Sequence, residues 1–101
     1  MVVFADVPLD ETVRRCVAQC FDNSGQSCNA PTRMLVERPV CEQAIAIANR
    51  AELATKVRAS NLQGNHLGPV ASFAQFRKIQ EMIYVGIEEG VSLVAGGPGR
   101  P

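Results

Sequence analysis

The sequence predicts an α/β layer in the order β-α-β-α-α-β, with unpaired strands at both ends. Short apolar runs sit at Met1–Phe4, Met34–Val36 and Val91–Ala95, and buried strands have this length and character. Between them lie three stretches whose apolar residues recur every three or four positions, as on one face of a helix. The 101 residues are at most one core's worth of chain, which argues against two independent domains.

The elements follow in order. Met1-Val2-Val3-Phe4 is a strand that begins with the first residue. Asp6 and Pro8 form a helix-start signature, with Asp6 as the candidate N-cap. Leu9, Val13, Cys16, Val17, Cys20 and Phe21 then make one helical stripe. Asn23-Ser24-Gly25 is expected to stop that helix, because glycine accepts the left-handed cap conformation. Met34-Leu35-Val36 is a buried strand running up to Pro39. A second helix fits from about Val40 to Val57, with Ala44, Ile45, Ala48 and Ala51 as its apolar face. Residues 59–71 are a polar loop marked by Gly68-Pro69. Ser72 and Gln75 form a capping box. It opens a third helix expected to bury Phe73, Phe76, Ile79, Ile83 and Ile87 and to end at Gly90. Val91–Ala95 is the last strand, and Gly96-Gly97-Pro98-Gly99 is a turn that leads nowhere. Its proline and the lack of a following helix exclude a phosphate loop.

Composition excludes several functions. Ten basic residues balance ten acidic ones, so no net field draws the chain to nucleic acid or to an anionic membrane. Five per cent aromatic residues and no tryptophan make a poor base-stacking surface. No apolar run approaches the roughly 18–20 residues that span a bilayer, and the N-terminus has no signal-peptide pattern. Four cysteines without a CxxC pair, beside a single histidine, argue against a metal site. A reduced, cytoplasmic, soluble protein is expected.

The informative stretch runs from Phe21 to Arg33, FDNSGQSCNAPTR. Here a helix ends and an irregular loop presents Cys28 among small polar residues. A buried strand then fixes the loop's far end. A thiol held between rigid elements, with free backbone N–H groups nearby, suits nucleophilic attack on a carbonyl. The preceding helix presents its negative dipole end to the loop, so activation must come from groups outside this segment.

This stretch resembles the active-site cysteine signature of the aldehyde dehydrogenase superfamily, F-x-N-x-G-Q-x-C-x-A-x-x-R. Phe21, Asn23, Gly25, Gln26, Cys28, Ala30 and Arg33 meet it, seven positions in thirteen. At about one in twenty per position, chance agreement is of order 10⁻⁹. The likeness continues through Val2–Asp6 and Pro8-Leu9-Asp10 upstream, although Val7-Pro8 departs from the family's usual Ala-Asp. Downstream it includes Gly68-Pro69-Val70, Gln75-Phe76-x-Lys78, Gly86-x-x-Glu89-Gly90 and Leu93-Val94-x-Gly96-Gly97.

The resemblance implies that residues 1–101 are part of an aldehyde dehydrogenase catalytic domain. Most of the cofactor-binding domain and the oligomerisation segment would lie elsewhere. The family's glutamate base, in an E-L-G-G-K stretch, would precede Met1. Its oxyanion-binding asparagine would lie further upstream, and its ribose-holding E-x-F-G-P stretch would follow Pro101. The implied activity is oxidation of an aldehyde to a carboxylic acid with NAD or NADP. Cys28 would be the nucleophile, with Ser27 and Asn29 lining the aldehyde's approach and Gln75 and Lys78 facing the cofactor ribose. The resemblance also implies a homo-oligomer, dimer or tetramer, in the complete enzyme and no activity in this piece alone. The aldehyde, the choice between NAD and NADP, and hydrolysis against transfer to coenzyme A are left open.

Plainer readings stand beside these. Cys16 and Cys20 fall on the first helix's stripe, where cysteine packs as a small hydrophobe. Cys41, in the first turn of the second helix, is expected to react at most incidentally. His66 reads as a solvated loop residue. Capping alone accounts for Gln75, and Lys78 reads equally as a solvated lysine. The alternative for the whole chain is a free-standing, non-catalytic thiol or interaction module, its open strands recruiting a partner by strand addition.

Overall fold

The computed structural model describes residues 1–64 and 66–100. Its elements are β1 (Val2–Val3), α1 (Leu9–Phe21), β2 (Leu35–Val36), α2 (Cys41–Leu53) and α3 (Phe73–Glu88). β1 and β2 run parallel, with Val2 opposite Leu35 and Val3 opposite Val36, and α1 supplies the crossover that parallel strands need. The first strand is therefore not unpaired, because its partner comes from within the chain. Leu35 N–H donates to Met1 O and Glu37 N–H to Val3 O, both at 2.9 Å. The N-terminal ammonium donates to Arg33 O at 2.9 Å. Ala5 N–H donates to the Glu37 carboxylate at 2.7 Å, adding a side-chain rung to the ladder.

α1 spans the residues that its stripe predicts, but Asp6 does not cap it. Pro8 occupies the N-cap position, without a side-chain bond, and Thr12 N–H reaches Pro8 O at 3.0 Å. Asp6 lies two residues too early to meet the first free N–H groups. α1 packs on α2, and Val3, Val13, Cys16, Ala44 and Ile47 are buried. Leu9, Met34, Val36 and Ala48 close around Val13, Ala44 and Ile47.

α2 differs from expectation in face and length. Ile47 points inward and Ile45 is 39% exposed, while Ala44 and Ala48 stay on the core side, so the buried face keeps its alanines and takes Ile47 at its edge in place of Ile45. The helix ends at Leu53 rather than Val57. Beyond it, Lys56–Arg58 pairs with Leu67 instead. Leu67 N–H donates to Lys56 O at 2.8 Å and Arg58 N–H to Leu67 O at 3.0 Å.

Ser72 caps α3 by accepting the Gln75 N–H at 3.2 Å. At the other end, Gly90 takes φ +85°. Gly90 N–H bonds Ile87 O and Val91 N–H bonds Gly86 O, both at 3.0 Å. That pair of bonds is a Schellman motif, which needs a left-handed residue where Gly90 sits. The expected burial of α3 is not found. Phe73 is 64% exposed, Ile87 is exposed, and Phe76, Ile79 and Ile83 are only half-buried. Its stripe is real, but among the described residues no helix packs closely against it.

Val91–Ala95 is not a strand. No strand among the described residues lies beside it to complete a ladder, and Asn49 Nδ2 holds Val94 O at 2.7 Å instead. The glycine turn does lead somewhere, since Gly99 N–H donates to Gln80 Oε1 at 2.6 Å. The Arg100 guanidinium then lies 5.4 Å from the centre of the Phe76 ring.

The result is an open fold. Its accessible surface is 7769 Å², against about 5,600 Å² for a compact monomer of 10.9 kDa.

Candidate active site

The Cys28 loop is anchored at both ends. Asp22 ends α1 by turning extended (φ −53°, ψ 142°), while its N–H still bonds Ala18 O. The helix thus stops before the expected glycine cap. Asn23 (φ 51°, ψ 38°), Ser24 (φ 56°, ψ 32°) and Gly25 (φ 73°) are all left-handed. Asp22 Oδ1 accepts the Asn23 N–H at 3.0 Å, and Gln26 N–H closes the turn on Asn23 O at 3.1 Å. A Cβ on Gly25 would lie 3.5 Å from Cys20 O, so the turn folds back onto the last turn of α1.

Cys28 and Asn29 occupy the corners of the next turn, closed by Ala30 N–H to Ser27 O at 3.0 Å. Thr32 N–H then bonds Ala30 O at 2.9 Å across Pro31, and the chain enters the core at Met34. Ser27 is half-buried, whereas Cys28 and Asn29 are exposed. Among the described residues, the Cys28 and Asn29 N–H groups meet no acceptor.

Of the four thiols, Cys28 is the exposed one. Cys16 is buried, while Cys20 and Cys41 are half-buried. Burial pushes the Cys16 thiol up from its ordinary 9.0, the N-terminal amine opposing the shift and Cys20 adding to it. A cleft of about 500 Å³ opens between α1, α2, α3 and residues 91–95. Cys16, Cys20, Met34, Met82, Ile83 and Leu93 are on its wall, and Cys28 is not.

Gln75 and Lys78 are both exposed in the first two turns of α3. The Gln75 backbone serves the cap, which leaves its amide side chain free of that duty. Neighbouring Arg77 is engaged, with its guanidinium 5.4 Å from the Phe73 ring centre, and Phe73 stacks on Phe76 at 6.2 Å. No hydrogen bond among the described residues joins Gln75 or Lys78 to the Cys28 loop. His66 is half-buried rather than solvated, and its Nδ1 is buried without a partner among the described residues. No three His, Cys, Asp or Glu side chains among the described residues come together to hold a metal. No helix among them is long and apolar enough to cross a membrane.

Sequence reasoning missed the left-handed backbone of Asn23 and Ser24. Asparagine and serine beside a glycine were the available signal, but they read as an ordinary helix stop.

The sequence profile of the aldehyde dehydrogenase family matches residues 1–101. The chain belongs to the aldehyde dehydrogenase family. It is 50% identical to an aldehyde dehydrogenase from Bartonella henselae, whose crystal structure superposes with a TM-score of 0.93 over 99% of this chain and 21% of that one. A cysteine-to-alanine variant of Pseudomonas syringae aldehyde dehydrogenase C, solved with NAD+ and octanal, is 40% identical. Its TM-score is also 0.93, with the same coverage. A Staphylococcus epidermidis relative bearing an aldehyde dehydrogenase name is 34% identical over 100 residues, 99% of this chain and 21% of its own length. The chain thus spans about a fifth of the length of the relatives it matches, and over that span it has the aldehyde dehydrogenase fold.

Proposed function

We propose that this chain carries the nucleophile segment of an NAD(P)-dependent aldehyde dehydrogenase, with Cys28 as the nucleophile. The observation that carries the reading is the exposed Cys28 thiol at the corner of a tight turn anchored by α1 and β2. The Cys28 thiolate adds to the aldehyde carbonyl and forms a thiohemiacetal. The Cys28 N–H, free of other acceptors, holds the oxyanion together with an asparagine outside these residues. Such a donor contributes about 10²–10³ in rate. Ser27 and Asn29 line the approach of the aldehyde.

Gln75 and Lys78 fit a dinucleotide. An amide and an ammonium three residues apart share a helix face, the helix has no acidic residue in its first turn, and ribose hydroxyls accept from such donors. Bound there, NAD or NADP would supply the hydride acceptor for this oxidation, which would leave a thioester on Cys28. A water activated by a glutamate outside these residues hydrolyses the thioester, releasing the carboxylic acid and restoring the Cys28 thiol. The same reading makes the complete enzyme a cytoplasmic homo-oligomer, dimer or tetramer. Four unbridged cysteines suit a reducing compartment. The 101 residues alone are expected to form no reduced cofactor.

The test is a pair of variants in the full-length enzyme, assayed with an aliphatic aldehyde such as the octanal of the Pseudomonas relative. Cys28→Ala should abolish oxidation, and Cys41→Ala should leave it nearly intact. Comparable losses in both would overturn the assignment. Lys78→Ala should raise the KM for the nicotinamide cofactor while sparing the chemical step. A change confined to the aldehyde KM would place Lys78 elsewhere.

A further inference from the structure

The left-handed turn at Asn23–Gly25 is not explained by capping, because Asp22 has already ended α1 in an extended conformation. One left-handed residue is enough for a helix cap, yet three follow in succession here. L-residues visit this region singly and against a steric penalty, which asparagine tolerates best. Packing among the described residues does not explain the turn either. Asn23, Ser24 and Gly25 are all exposed, and Ser24 Oγ makes no hydrogen bond among the described residues. What the turn accomplishes is a reversal that brings Gly25 back against Cys20 O and sends the chain into the Ser27–Ala30 turn that carries Cys28. Strained backbone persists where the surrounding structure fixes it, and it concentrates at functional sites.

We propose that the Asn23–Gly25 turn aims the Cys28 thiol, and that Ser24 is a positioning residue acting through its backbone dihedral rather than its side chain. The inference rests on the reading of Cys28 as nucleophile. A left-handed turn fixes the direction in which the chain leaves α1. Any rotation of Ser24 out of that region therefore swings the Cys28 turn as a unit. A misplacement of 1 Å at a reacting atom costs about 10²-fold in rate.

The experiment is a substitution series at this position in the full-length enzyme. Ser24→Val is β-branched and averse to positive φ, whereas Ser24→Asn accepts it and should rescue. Ser24→Val should lower kcat by about 10–100-fold, with little change in either KM. It should also slow iodoacetamide alkylation of Cys28 while leaving that of Cys41 unchanged. Ser24→Asn should keep most of both rates. Gly25→Ala is a second variant in case Ser24→Val fails to fold. Its added Cβ meets only an ordinary contact, so its effect also passes through φ +73° and should be a partial loss of kcat. Equal behaviour of Ser24→Val and Ser24→Asn, or an unchanged kcat in Gly25→Ala should the valine variant not fold, would overturn the positioning role. If that result came with an inactive Cys28→Ala, only the positioning role would fall. An active Cys28→Ala would overturn the nucleophile reading and this inference together.

Discussion

α1 and α3 look alike in sequence and end differently in space. Each carries apolar residues at steps of three and four, and each is long enough to present a continuous stripe. α1 buries Val13 and Cys16 against α2, beside a parallel strand pair. α3 buries nothing fully, although it has a serine cap at its start and a complete Schellman motif at its end. The difference teaches that local signals make a helix, while burial needs a second surface. For α1 that surface lies within residues 34–48. For α3 the neighbours among the described residues are the strap of residues 91–100 and an apolar cleft. Phe73, Met82, Tyr84, Val85 and Ile87 of α3 all remain exposed, as do Phe4, Leu35 and Leu53 at the margins of the first region.

A matched pair of substitutions tests the contrast most strongly. Val13→Ala removes two methyl groups from a site with 0% exposure, and chemical denaturation of the chain should show a loss of about 2–3 kcal/mol. Val85→Ala deletes the same groups from a site 42% exposed and should stay within about 0.5 kcal/mol. Similar losses at both would mean that α3 is packed in solution after all.

A smaller effect is expected at the cap. Ser72→Ala leaves the Gln75 N–H without its acceptor and should cost about 1 kcal/mol. Because α3 is weakly held, that loss should appear as faster amide exchange in its first turn, with α1 and α2 unaffected. Slowing or no change in that turn would show that the cap carries no weight.

The smallest effect is a pH dependence carried by Cys16 in the first region. Cys16 titrates above its ordinary 9.0 because burial disfavours the thiolate. The folded state therefore keeps its proton where the unfolded state loses it. The stability this contributes is fully present below pH 9.0 and is lost as pH rises through the folded value. Cys16→Ala should flatten the stability profile above that pH, and an unchanged profile in that variant would overturn the assignment.

The sequence nominates the residues of the candidate site one by one, but not the backbone that holds them. Cys28 stood out because seven motif positions coincide in thirteen residues. Gln75 and Lys78 followed from the same likeness. Nothing in the spacing showed that Asp22, rather than Gly25, would end α1, or that two L-residues would take positive φ. A run of Asn, Ser and Gly fits several turns equally well, and the choice among them depends on where β2 requires the chain to go.

By itself the sequence determined whatever depends on neighbours a few residues apart. It set the span of α1, the Ser72 cap, the Gly90 stop and the apolar character of Val2-Val3 and Leu35-Val36. Hydrogen bonds across three or four residues and side-chain periodicity decide these locally. Tertiary structure decided the rest. β1 found its partner in β2, and Val91–Ala95 found none. Ile47 displaced Ile45 from the core because the face of α2 is chosen by what α1 presents to it. Strand pairing and burial are interactions between distant segments, so a segment's own composition proposes them and only the surface it meets completes them.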